Sequence, residues 1–297
     1  MKKLQILFLA VIISLTSVSY LKGQSWNLSP IPSTGGGSFF EDALSSLNRA
    51  FNDTSFTQEE AYYLGRTVAA NILSIYRPYT ADQDLTRYLN KIAMSLAINS
   101  DQPIFFDGYY VIVLDSTEIN AFASPGGHIF ITRGLLDACS SEDMLAAVIA
   151  HEMAHIMLRH GLSIIESMGL SVEMENMANR AAALSGNSLR AQQLMLIRSS
   201  VNTSMNALLI SGYSQAQEFE ADIEAINLLA ASGYNPGAML ELLQFLQRTQ
   251  SAQSGGIFTT HPNPASRISN IQSTLMYHRS GDNSDIRKPR FDRYTKA

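Results

Sequence analysis

"VIAHEMAHIML", residues 148–158, sets two histidines and a glutamate into an otherwise apolar run. Burial of His151, Glu152 and His155 is costly unless a partner offsets their lost hydration. Residues i and i+4 of a helix lie on one face, a turn apart. His151 and His155 can therefore aim two imidazoles at a single ion, and Glu152 falls beside them.

The spacing is that of H-E-x-x-H, in which the two histidines bind zinc and the glutamate is a general base. Chance places this pattern in roughly one chain of this length in a hundred. The apolar flanks argue against a surface helix with coincidental histidines. A catalytic zinc needs a third protein ligand, and "QEFEAD" (217–222) offers Glu218, Glu220 and Asp222 in an expected helix. Glu218 and Asp222 are again i and i+4, so one can bind metal while the other receives a histidine N–H. Glu218 is assigned to zinc and Asp222 to the histidine. Glu220, rotated away, reads as a solvated charge.

The surrounding chain predicts an α+β fold, mostly helical, with a small β-sheet beside the H-E-x-x-H helix. Apolar residues recur at helical spacing from Glu59 to Tyr76 (Ala61, Leu64, Val68, Ile72, Ile75) and from Asp82 to Ile98. "YYVIVLD" (109–115) and "GHIFITR" (127–133) read as strands around a Pro-Gly-Gly turn. The motif helix begins at Ser140 or Ser141, with Glu142 and Asp143 in its first turn, and ends near Gly161. A further helix spans Tyr213 or Ser214 to Ala231. Asn235-Pro236 and Asn263-Pro264 open two more. The stretch between them, ending in "GGIFTTHP", reads as an exposed loop. Residues 164–211 suit one or two helices near the site, or a lid.

Residues 1–24 carry Lys2 and Lys3 before an apolar stretch from Leu4 to Leu21, the pattern of a signal peptide, with an uncleaved anchor as the alternative. The expected destination is the periplasm, with membrane association only if that segment is retained. Residues 25–58 read as a linker, 59–280 as the folded domain and 281–297 as a disordered tail. A net charge of -5 gives no reason to expect nucleic-acid binding. Cys139, the single cysteine, excludes an intramolecular disulfide and reads as a small buried hydrophobe.

Four ordered motifs now resemble one family. HEMAH followed by Glu-x-x-x-Asp at 218–222, "NAFASPGGHIFITRGLL" (120–136) and "HPNPASRI" (261–268) look like the HtpX/Oma/prenyl-protease-type gluzincins, metallopeptidase family forty-eight. Within it the chain is similar to the exported soluble branch of β-barrel assembly-enhancing type, without that branch's helical-repeat domain. Gln215 stands where the family usually has Arg.

The resemblance implies a zincin-like metallopeptidase domain and a zinc endopeptidase with one Zn2+ per chain, held by His151, His155 and Glu218. Glu152 is then the base that takes the proton from the attacking water. His261 is read as a gating ligand or a transition-state donor, and Arg267 as holding its loop through a carboxylate. Asn120, Ala121, Phe122, Gly127, His128 and Ile129 are candidates for substrate binding, with "GHIFITR" as the sheet edge. His160 and the side chain of His128 are expected at the surface. The expected substrates are unfolded or misassembled envelope proteins, with a regulatory partner opening the His261 loop. The competing reading is a zinc-stabilised, chaperone-like binding protein.

Overall fold

The computed structural model describes residues 58–103, 106–167, 212–250, 256–278 and 284–296. The expected export signal and linker lie outside these residues up to Gln58, and so does the expected helix-or-lid segment beyond Ser167. The observed order is α1 (Gln58–Ile75), α2 (Gln83–Ile98), β1 (Tyr110–Leu114), β2 (Ala121–Ser124) and β3 (His128–Thr132). Then come α3 (Arg133–Ala138), α4 (Glu142–Met157), α5 (His160–Ser167), α6 (Gln215–Ala231), α7 (Ala238–Gln250), α8 (Ile257–Thr260), α9 (Pro264–Tyr277) and α10 (Ser284–Thr295). The chain is α+β and mostly helical, with one small sheet among the described residues.

Strand alternation divides the core. Val111, Val113, Ala121, Ala123, Ile129 and Ile131 face α2 and α4 in the larger cluster. Ile112, Leu114, Phe122 and Phe130 point the other way, onto Ala61, Leu64, Val68 and Ile72 of α1. Ile75, counted on that helical face, is instead exposed. The turn between β2 and β3 needs its glycines. Gly126 and Gly127 have φ of 91° and 103°. A Cβ on Gly126 would lie 2.4 Å from the Tyr62 Cα.

The strand order is β1-β3-β2, with β1 parallel and β2 antiparallel to β3. "GHIFITR" is therefore the central strand, not the edge. Its backbone groups are taken by two neighbours, so it cannot receive a third strand. The outer strand nearer the motif helix is β2.

Helix α4 is buried along its whole length, which explains its apolar composition. Ser141 caps it by accepting a hydrogen bond from the Met144 N–H at 3.1 Å. Helix α6, its principal neighbour, starts from a capping box between Ser214 and Gln217.

Two expectations about the C-terminal third are corrected. The loop before His261 contains α8, and Ile257, Thr260 and His261 are buried. Its anchor is the hydrogen bond from the Ile257 N–H to the Ile119 carbonyl at 3.2 Å. The tail expected to be disordered forms α10. That helix is poor in apolar residues, but Phe291 is 1% exposed and packs in the main core. Arg287 reaches Asp143 in the first turn of α4 at 2.7 Å, and Arg290 pairs with Glu142 beside it. One aromatic anchor and two ion pairs hold a helix that average hydropathy does not reveal.

Candidate metal centre

Helix α4 brings His151, Glu152 and His155 to one place because its i, i+4 face is turned toward α6. That helix supplies Glu218 and Asp222 from its own matching face. The segment from α8 to α9 supplies His261 and Arg267. One donor atom from each of His151, His155, Glu218 and His261 lies within 4.8 Å of the others, and all four residues are buried.

The inner distances are short. His151 Nε2 is 3.1 Å from His155 Nε2 and 3.2 Å from His261 Nδ1. Glu218 Oε1 is 2.9 Å from His261 Nδ1 and 3.5 Å from His155 Nε2. Imidazole lone pairs facing one another in a dry site repel unless a proton or cation lies between them. Three ring nitrogens and a carboxylate oxygen form the N/O donor set of a zinc site. Glu152 adds a buried Oε2 with no hydrogen-bond partner and an Oε1 3.5 Å from His261 Nε2. A divalent cation fits this arrangement.

The surrounding charges are arranged around the donors. Asp222 Oδ1 lies 3.1 Å from His151 Nδ1, where an N–H leaves Nε2 free to ligate. Burial and Arg267 push the His151 pKa down, but the Asp222 and Glu218 carboxylates outweigh them and raise it to about 9. Burial alone would raise the pKa of Glu218. Arg267 and His261 reverse this and hold it well below the usual carboxylate range. At Glu152 burial prevails: His261, His151 and Arg267 offset it only in part, and the pKa is raised. Arg267, expected to hold the His261 loop through a carboxylate, grips Asp222 and lies 2.7 Å from Glu218 Oε2.

A profile of peptidase family M48 matches residues 80–275, which contain every one of these groups. The chain belongs to peptidase family M48. It is 29% identical over 199 residues to the Beta-barrel assembly-enhancing protease of Escherichia coli (strain K12), covering 66% of this chain and 40% of that protein. It is 28% identical over 233 residues to the Metalloprotease LoiP of the same organism, covering 78% of this chain and 87% of that protein. Against the Mitochondrial metalloendopeptidase OMA1 of Schizosaccharomyces pombe it is 27% identical over 250 residues, 81% of this chain and 69% of that protein. The chain thus spans about two-fifths of the length of the assembly-enhancing protease it matches.

Other residues of this M48 domain fall elsewhere than the sequence suggested. Asn120, Ala121 and Phe122 lie at or in the outer strand β2, whereas Gly127, His128 and Ile129 lead into and occupy the central β3. His128 Nδ1 is buried without a partner, and burial pushes that histidine down to about 4. His160, expected at the surface, is 4% exposed and contacts His155. Tyr213, read from the sequence as a possible helix start, stacks its ring on His155 at 3.7 Å and 13°. Only its place beside the Ser214 cap could have pointed to that contact. No helix among the described residues is long and apolar enough to cross a membrane.

Proposed function

We propose that the chain is a zinc-dependent endopeptidase that cleaves unfolded or misassembled proteins of the cell envelope. The carrying observation is the convergence of His151, His155 and Glu218 beside the unpartnered carboxylate oxygen of Glu152. His151, His155 and Glu218 would hold one zinc ion. When bound, the ion polarises a peptide carbonyl and lowers the pKa of water.

Glu152 accepts the proton of the attacking water at its carboxylate and passes it to the leaving amine nitrogen. Its burial-raised pKa suits a group that must hold that proton between the two transfers. Asp222 keeps His151 in the tautomer that presents Nε2 inward, and Arg267 keeps Asp222 and Glu218 ionised. The outer strand β2 offers backbone groups to an extended chain beside α4. Pairing of this kind reads extended shape more than side chains, which favours unfolded substrates. The basic and apolar start of the sequence supports export to the periplasm, cleaved or as an anchor.

His261 supports a gate. Its Nδ1 lies among the other donors, and a fourth protein ligand occupies the position that a catalytic zinc keeps open. A partner that shifts the α8–α9 connection would withdraw it. The same closed set favours a second reading, a zinc-stabilised binding protein that holds envelope proteins without cutting them.

Cleavage of a disordered protein by the purified chain, beside Glu152→Gln, tests the proposal. Cutting by the wild type, slowed about a hundred- to ten-thousand-fold in the variant, supports the endopeptidase. Equal cutting by both removes Glu152 from the role of base. Silence of both, persisting in His261→Ala, favours the binding protein.

A further inference from the structure

The two motif histidines are braced by different chemistry. His151 Nδ1 faces a carboxylate, Asp222, at 3.1 Å. His155 Nδ1 faces another imidazole, with Nδ1 of His160 2.9 Å away. The far nitrogen of His160, Nε2, lies 3.1 Å from Glu220 Oε2.

Backbone geometry builds this contact. On a continuous helix, a residue five positions after His155 would point well away from it. Helix α4 stops at Met157, Leu158 caps it, and Arg159 takes a left-handed φ of 60°. The reversal starts α5 at His160 and folds that ring back against His155. Helix α5 is tied to α6 through Ser163, whose hydroxyl donates to the His160 carbonyl at 2.8 Å and accepts from Gln217 Nε2 at 3.0 Å. Tyr213 covers the face of the His155 ring.

Proton positions follow from the ends of the chain. His155 Nε2 converges on the donor cluster, so a neutral His155 that ligates through it carries its proton on Nδ1. His160 Nδ1 must then accept, which puts the His160 proton on Nε2. That N–H points at the Glu220 carboxylate, which can only accept when ionised. Every donor meets an acceptor in this assignment.

We infer that His160 and Glu220 are positioning residues that fix the tautomer and orientation of His155 for metal binding. The inference rests on the metallopeptidase reading. Its consequence is that the exposed carboxylate of Glu220, 64% accessible at the side chain, acts on a ligand two residues removed from it in space.

The test is zinc affinity of the full chain, measured by competition with a fluorescent chelator. Melting temperatures of the metal-free proteins are recorded alongside. His160→Phe keeps a ring of similar volume but cannot accept, while His160→Asn places a carbonyl oxygen near the position of Nδ1. The expected result is a Kd raised about 10- to 100-fold in His160→Phe and held within about threefold of wild type in His160→Asn. Glu220→Ala, a surface change, weakens binding in the same direction by a smaller factor. Wild-type affinity in His160→Phe, or equal losses in Phe and Asn variants, overturns the inference. If His160→Phe does not fold, Glu220→Ala decides, since an unchanged Kd there breaks the proposed chain. Failure of the wild type to bind zinc overturns the metallopeptidase reading itself, an outcome distinct from the others.

Discussion

The Arg267 guanidinium grips the Asp222 carboxylate through hydrogen bonds of 2.8 and 2.6 Å, with both side chains almost wholly buried. The same guanidinium lies 2.7 Å from Glu218 Oε2. One cation therefore balances a proposed metal ligand and the carboxylate that orients another. Arg267→Leu leaves two buried carboxylates short of their counter-charge and should destabilise the fold by about 3–5 kcal/mol. Arg267→Lys should recover only part, because an ammonium cannot reproduce the planar fork. Denaturant unfolding checks both, and a Leu variant within about 1 kcal/mol of wild type would contradict the account.

His261 should restrain the proposed peptidase. Its Nδ1 lies 2.9 Å from Glu218 and 3.2 Å from His151, inside the donor cluster. His261→Ala opens that position and is expected to raise the rate of cleavage of a disordered substrate. A loss of activity with zinc retained would instead make His261 a donor to the transition state.

The C-terminal helix should carry a disproportionate share of stability. Phe291 is 1% exposed within the main cluster, and its helix is otherwise strongly polar. Phe291→Ala is expected to cost about 3–5 kcal/mol through lost burial and the cavity left behind. Equilibrium unfolding in urea measures it.

His128 predicts a pH dependence away from the metal centre. Burial, with Arg66 acting in the same direction, holds it at about 4 against an ordinary value of 6.5. Between those values the unfolded chain takes up a proton that the folded chain refuses. Stability present above pH 6.5 is therefore lost as the pH falls toward 4, by at most about 3 kcal/mol. The loss should shrink in His128→Asn, read as the difference between urea midpoints at pH 7 and pH 5.

The site was legible where its residues carry their spacing within one helix. His151 with His155 and Glu218 with Asp222 are each four apart, and burial of α4 follows from its apolar flanks. His160 was not legible, because a left-handed Arg159 brings it back to His155 and local periodicity continues the helix past that point. The sheet edge was misread for a related reason: "GHIFITR" has a strand's composition, but its central place depends on pairing with β1 and β2. The tail concealed one buried Phe291 within a charged segment. Each missed feature depends on a contact between residues distant in sequence or on a single backbone dihedral.

Metal content tests the central claim most directly. Elemental analysis of the purified wild type, His155→Ala, Glu218→Ala and His261→Ala should find one zinc per chain in the wild type and in His261→Ala, and little in the other two. Zinc missing from the wild type, or held at full stoichiometry by His155→Ala and Glu218→Ala together, would contradict it.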